Sequence, residues 1–130
     1  MMFLKQDTFN YDKQSVVLNE LSGLQRVEYL TFIRERTAVF DEQSAEMVEG
    51  ERQIAFLEMG MDINAWLVSR SLWSAGQTQD VQVLYDTVRK TWSYDALGLA
   101  AERILALSGL VPAKEEAAGR DDGALTPEKS

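Results

Sequence analysis

The stretch LNELSGLQRVEYLTFI, residues 18–33, marks the point where an extended N-terminal segment gives way to a helix. Ser22 is a favourable N-cap residue, and Gln25 follows three positions later, as a capping box requires. Apolar residues then recur at helical spacing: Leu24, Val27, Leu30 and Ile33. This stripe predicts an amphipathic helix that packs against a core, and it contains no catalytic group.

The composition describes one soluble globular domain. The chain has 130 residues, 45% of them hydrophobic, which is enough to build a buried core without a covalent staple. It contains neither cysteine nor histidine. Disulfides and thiolate metal sites are therefore excluded, and the commonest general base and transition-metal ligand is missing.

The formal net charge of −8 restricts the partners of the chain. Phosphate backbones and anionic membrane surfaces repel an acidic protein, so we expect neither nucleic acid nor membrane as a partner. No apolar run has the length of a bilayer-spanning helix, and the N-terminus lacks the features of a signal peptide. We therefore expect the protein to stay in the cytoplasm where it is made.

Residues 2–18 are predicted to form a β-hairpin. Phe3, Lys5, Asp7 and Phe9 lie on alternate positions before a polar turn at residues 10–14, as do Val16 and Leu18 after it. No glycine follows Asp12 to ease positive φ in this turn. Because a lone two-stranded ribbon is marginal in water, the hairpin must pack on helices or pair with a neighbouring subunit. We favour a small sheet that covers the core.

The middle of the chain gives weaker signals. The first helix is predicted over residues 22–36, whereas residues 37–61 are predicted to be a partly ordered connection with one helical piece. Crowded glutamates, Gly50 and Gly60 weaken helical structure there. Asp62 is then expected to cap a central, largely buried helix over residues 63–73, which Gly76 ends.

Two further helices follow. The third has a clean apolar stripe, while four polar residues are expected to face away from the core: Gln82, Asp86, Arg89 and Lys90. Ser93 is expected to cap the fourth helix, and Ser108 with Gly109 to end it. The predicted fold is mainly α, with about four helices, an N-terminal hairpin and a disordered C-terminal tail. Residues 1–111 form the predicted domain and residues 112–130 an acidic tail without apolar periodicity.

The motifs do not favour an enzyme. Carboxylates at helical spacing, Glu42 with Glu46 and Glu58 with Asp62, lie in polar sequence and are best interpreted as an acidic surface. A carboxylate enzyme that uses a divalent metal is the less favoured alternative. Phosphate-binding glycine loops and a nucleophile elbow are absent from the sequence. We therefore predict no catalytic, cofactor or metal site.

Three tryptophans, Trp66, Trp73 and Trp92, stand out in so small a domain. Their ordinary role is core packing, but tryptophan is also a favoured anchor at protein interfaces. A domain without catalytic groups, with an acidic surface and a possible aromatic groove, is typical of a binding protein.

Several pieces of the chain together resemble the tail assembly chaperones of long-tailed phages, the lambda-like minor tail protein G family. They are Phe3-Leu4-Lys5, Phe9, ELSGLQRVEYL at residues 20–30, Ser71-Leu72-Trp73, Thr91-Trp92 with Ala96, and Leu107-Ser108-Gly109. Residues 37–61 depart from the family, and the hairpin turn lacks its Asn-Gly.

This resemblance implies a specific role. Such proteins bind the aggregation-prone tape measure protein in the host cytoplasm, keep it soluble while tail tube subunits polymerise, and are absent from the virion. A programmed frameshift produces a longer form whose added domain recruits the tail tube protein, and members can self-associate. Because Leu72, Trp73 and Trp92 lie in the matching pieces, they are expected near the client-binding surface.

The excess of Asp and Glu keeps a second hypothesis open. A small acidic adaptor or inhibitor could occupy a basic site on another protein, and its affinity would fall steeply with salt. Apolar binding of a client helix should tolerate salt.

Overall fold

A computed structural model describes residues 3–76 and 79–110. A two-stranded hairpin precedes four helices: β1 Gln6–Tyr11, β2 Gln14–Asn19, α1 Gly23–Ser44, α2 Glu49–Ser74, α3 Val81–Thr91 and α4 Tyr94–Leu107. The predicted mainly-α fold with an N-terminal hairpin is confirmed. The predicted acidic tail at residues 112–130 lies outside the described residues, and the proposed domain boundary there stays a prediction.

The C-terminal half of α2 is the centre of the fold. Helices α1, α3 and α4 and strand β2 all pack against α2, and its buried residues begin only at Asp62. The prediction of a central buried helix at residues 63–73 is therefore confirmed. The N-cap assigned to Asp62 is wrong, because α2 begins at Glu49 and runs unbroken through this position.

Asp62 is instead a buried carboxylate that joins three helices. Its Oδ2 atom lies 3.1 Å from a guanidinium nitrogen of Arg36 on α1, and its Oδ1 atom lies 2.9 Å from Nε of Arg89 on α3. The prediction that Arg89 faces away from the core is thus wrong. Burying a carboxylate has a desolvation cost that a water-exposed helix cap would not incur. The two arginine cations compensate this cost.

Helix α1 begins as the sequence predicts but presents a different face to the core. Ser22 and Gln25 form the reciprocal capping box, with N–H to side-chain oxygen distances of 3.1 and 3.0 Å. Gln25 and Tyr29 are the buried side chains of this half of the helix. The expected core stripe is therefore wrong for Leu24, Val27 and Leu30, which are exposed. Ile33 packs against the core.

Residues 37–61 are helical except for a short turn. Helix α1 continues to Ser44, and α2 starts at Glu49 and passes through Gly50 and Gly60. The predicted partly ordered connection is therefore wrong. The two helices form an antiparallel arm in which the rings of Phe40 and Phe56 meet edge to face at 5.8 Å. Helix pairing of this kind outweighs the penalty of about 1 kcal/mol for each glycine.

The hairpin folds back on the helices of its own chain. Phe9 and Leu18 belong to the core, and β2 contacts both α2 and α4. The turn is tighter than expected, since Tyr11 pairs directly with Gln14 across two connecting residues. Both connecting residues have positive φ, 48° at Asp12 and 69° at Lys13, as a type I′ turn requires. Neither residue is a glycine, so the turn carries backbone strain.

The ends of the later helices agree with the sequence. Ser93 Oγ accepts the N–H of Ala96 at 3.0 Å, and Asp80 caps α3 in the same way through Gln82. Gly76 and Gly109, just beyond α2 and α4, both have positive φ. Leu84 and Val88 of α3 are buried, as the predicted stripe requires.

Candidate functional site

An open groove of about 800 Å³ runs between α1 and α2, and the N-terminal segment also lines it. Its walls are mainly apolar, formed by Phe3, Leu4, Leu24, Val27, Phe32, Trp66, Trp73 and Val81. On α1 the groove reaches from Ser22 to Glu35. At 1.5 Å per residue this is about 20 Å, the length of four helical turns.

Large apolar side chains on the groove are open to solvent. Leu24 is 68% exposed, Val27 60% and Trp73 48%, and Leu30 continues the row along α1 at 55%. Single exposed apolar residues are ordinary on a protein surface, whereas a contiguous row beside a groove is typical of an interaction site.

Aromatic rings build the floor of the groove. The rings of Tyr29 and Phe32 each lie 5.8 Å from Trp66, which is buried. The guanidinium of Arg70 lies over the Trp66 ring, 4.4 Å from the ring centroid. Burial raises the pKa of Tyr29 above its usual value, so this ring stays neutral at physiological pH. The floor, formed by Phe32 and Trp66, therefore rests on ring contacts within the fold, with Tyr29 packed behind Trp66.

Gln25 fixes the spacing of the two walls. Its amide nitrogen donates to Ser74 Oγ at 3.1 Å and to the carbonyl of Arg70 at 3.4 Å, while its oxygen accepts the Ser22 N–H. One side chain therefore caps α1, attaches it to α2 and so sets the rotation of α1 about its own axis. Leu24 is rotated about 100° from Gln25 and consequently faces the groove.

The charged groups of the groove stand on different walls. Glu28 and Glu35 lie exposed on α1, and Arg70 lies half-buried on α2. Burial lowers the pKa of Arg70, while the negative charge of Glu28 acts in the opposite direction. Within residues 3–76 and 79–110, none of these three groups takes part in an ion pair.

The structure separates the three residues predicted to bind a client. Trp73 lines the groove, and Leu72 is buried in the core beside it. Trp92 lies elsewhere, stacked on Phe9 at 6.3 Å beside the hairpin, next to a smaller cavity of about 270 Å³. The client-binding role of these residues stays a prediction.

Sequence reasoning missed the apolar wall made by Leu24 and Val27 and the cation at Arg70. The capping box marked Gln25 but not the helix face that would be buried. That face is set by the bonds of Gln25 to Arg70 and Ser74 on α2, which join residues far apart in the sequence.

The acidic residues do not assemble a site. Glu42, Glu46 and Glu58 are exposed on the arm, and Asp62 is occupied by two arginines. The part of the chain that the structure describes contains no group of three acidic residues placed to hold a metal ion. Likewise, none of its helices is both long and apolar enough to cross a bilayer.

Comparison with known proteins identifies the family. The family model of the bacteriophage lambda tail assembly chaperone, protein G, matches residues 2–124. This chain belongs to that family of tail assembly chaperones. Tail assembly protein G of Escherichia phage lambda is 30% identical over 118 residues, 84% of this chain and 79% of the relative. Protein G of Escherichia phage N15 is 30% identical over 119 residues, 85% of this chain and 79% of the relative.

A longer relative shares the same region. Tail assembly protein GT of phage lambda is also 30% identical over 118 residues, which cover only 39% of its length. No solved structure matches the chain. The chaperone has a role in phage tail assembly, and the fold described above is the framework for that role.

Some of the pieces that carry the resemblance have a structural function in this tail assembly chaperone. Ser71 Oγ accepts the N–H of Asn19 at 2.7 Å and donates to its carbonyl at 2.9 Å. Ser108 Oγ accepts the N–H of Leu21 at 2.9 Å. These buried bonds attach the end of the hairpin to α2 and α4 just before α1 begins, and so they position the groove.

Proposed function

We propose that this chaperone binds helical segments of the tape measure protein in the α1–α2 groove and keeps that protein soluble while the tail tube assembles. The observation that supports this most is the exposed apolar row of Leu24, Val27 and Trp73 along a preformed groove. We also propose that the chaperone is absent from the mature virion and acts in the host cytoplasm.

The groove suits a helix because of its length and chemistry. An amphipathic helix binds by laying its apolar face into such a groove, with anchors at every third or fourth residue. A long, largely helical client offers many such segments, so each contact can be modest. The net charge of −8 would keep the loaded complex soluble.

The proposed action is non-enzymatic, in keeping with the chaperone family and with a sequence that lacks histidine and cysteine. Trp73 would contact the client directly, and Leu72 would support Trp73 from the core. Trp92 lies on the hairpin side, so a direct role there requires a second contact with the client.

A longer form of this chain is part of the proposal. The relatives G and GT each match this chain over 118 residues, and GT is more than twice as long as the matched part. We propose that a frameshift near the end of the coding sequence adds a domain that recruits the tail tube protein. Residues 112–130 would then act as the tether. Self-association of the chaperone is a further proposal, tested by light scattering.

The decisive experiment is co-expression with the tape measure protein from the same phage genome. We expect that protein to become soluble and to co-purify with the full chain. If it stays insoluble although the chaperone is folded and abundant, the short form is insufficient or the proposal is wrong. Repeating the test with the frameshifted product distinguishes these two outcomes.

The salt dependence of client binding distinguishes the chaperone hypothesis from the acidic adaptor hypothesis. Apolar binding in the groove should survive ionic strengths of about 1 M, where exposed charges are screened within about 3 Å. Complete release of the client at that ionic strength would favour binding through the acidic surface instead.

A further inference from the structure

The charges of the groove are arranged asymmetrically across its width. Glu28 and Glu35 are seven residues apart on α1, so they project from the same face about 10 Å apart. Arg70 stands alone on the α2 wall. A helix lying between the two walls would have carboxylates along one flank and a guanidinium along the other.

Arg70 is the most constrained of these groups. Its guanidinium carbon lies over the Trp66 ring, 4.4 Å from the centroid, and one nitrogen, Nη1, donates to Ser69 Oγ at 3.1 Å. Half-buried beside apolar side chains, the guanidinium has lost part of its hydration, and no carboxylate of residues 3–76 or 79–110 is paired with it. A carboxylate supplied by a partner would make a charge-assisted hydrogen bond there.

We propose that the groove selects an amphipathic helix with opposite charges on its two flanks. Basic side chains about seven residues apart would meet Glu28 and Glu35, and an acidic side chain would meet Arg70. The apolar stripe between the flanks would lie on Leu24 and Trp73. This inference rests on the proposed function and adds the charge pattern that a client segment must carry.

Three synthetic peptides of about 18 residues, long enough to be helical in water, test this pattern. All have the same leucine stripe. One has Lys on one flank and Glu on the other, the second has Lys on both flanks, and the third has Glu on both. If the mixed peptide lies in the groove in the opposite direction, its two flanks change places. One of its two binding directions therefore always places Lys beside Glu28 and Glu35, and Glu beside Arg70.

We expect the full chain to bind the mixed peptide most tightly. Exposed ion pairs at Glu28 and Glu35 should contribute roughly two- to fivefold in affinity. The half-buried pair at Arg70 should contribute about tenfold. Fluorescence of the groove tryptophans reports the binding.

Charge reversals of the protein give the sharper prediction. The E28K/E35K variant has an all-basic groove and should prefer the Glu-flanked peptide, while R70E should prefer the Lys-flanked peptide. E42K/E51K on the arm is the matched control for net charge, because both residues are exposed outside the groove. The R70Q variant removes the charge and disturbs the contact with Trp66 less than R70E does. It should bind peptides with Lys or Glu on the flank beside residue 70 equally well.

The outcomes separate this inference from the proposed function. If E42K/E51K shifts peptide preference as much as E28K/E35K does, only net charge matters and the inference is overturned. It is also overturned if wild-type protein binds the Lys-flanked peptide as tightly as the mixed one. In either case the proposed function stands as long as co-expression still solubilises the tape measure protein.

Discussion

Replacing Leu24 and Val27 with serine tests the groove most directly. Both side chains line the groove and lie largely in water, so L24S/V27S removes the apolar wall while α1 keeps its cap and its contacts with α2. The V83S/L99S variant is the matched control. Val83 and Leu99 are 47% and 50% exposed on α3 and α4, and they do not line the groove.

The exposed fractions of the Leu24 and Val27 side chains set the size of the expected loss of client affinity. Complete burial of a leucine or valine side chain contributes about 1.5–3 kcal/mol. Because Leu24 and Val27 are 68% and 60% exposed, a client that covers them fully would gain about 1–2 kcal/mol from each. The double variant should therefore raise the Kd of a client segment about 30-fold or more. The free protein should lose under about 1 kcal/mol for each residue, since most of each side chain is hydrated before the change.

Overlapping peptides from the tape measure protein of the same phage genome provide the assay. Affinity is measured by fluorescence anisotropy, and urea unfolding measures the stability of each variant. The reasoning is refuted if L24S/V27S binds the tightest wild-type peptide with unchanged affinity. It is equally refuted if V83S/L99S weakens that peptide to the same extent.

Three further predictions concern the framework of the groove. Replacing Asp62 with asparagine leaves Arg36 and Arg89 without their shared carboxylate and should lower the free energy of unfolding in urea by about 2–3 kcal/mol; a loss below about 0.5 kcal/mol would show that the network is unimportant. K13G should stabilise the chain by about 0.5–1 kcal/mol, because glycine adopts the φ of 69° without strain, and an unchanged urea midpoint would contradict this. Burial raises the pKa of Tyr29 above 10.0, so its contribution to stability is complete below that pH and is lost as pH rises through the folded-state pKa. Alkaline unfolding curves should show less of this loss in Y29F.

Local signals in the sequence were sufficient for most of the elements. The N-caps Ser22 and Ser93 and the stop signals Gly76 and Gly109 act within a few residues of backbone, so they could be recognised without knowledge of the fold. The alternation in the hairpin is equally local. The class of the fold followed from these signals, and the motif resemblance led to the correct family.

The arm could not be predicted from local signals. Residues 37–61 contain two glycines and many glutamates, which weaken an isolated helix. The continuous helices of the structure depend on packing between α1 and α2, as at Phe40 and Phe56, and this contact joins residues far apart in the sequence.

The groove shows most clearly the difference between what local signals predict and what long-range packing decides. Helix α1 has two stripes at helical spacing: the more apolar one contains Leu24, Val27 and Leu30, and the other contains Gln25 and Tyr29 with Phe32. Periodicity favours the more apolar stripe for the core. The structure buries the second stripe because Gln25 bonds to α2 and the rings of Tyr29 and Phe32 pack on Trp66.

The sequence by itself therefore determined which elements form, where most of them end and to which family the chain belongs, because caps, turns and periodicity act over a few residues. Only the tertiary structure decided which face of α1 is buried, that Asp62 joins three helices, and that Trp73 and Trp92 lie on different surfaces. Those outcomes depend on contacts of α2 with α1 and α3 and on the stacking of Trp92 against Phe9 of the hairpin, whose partners are brought together only when the whole core packs.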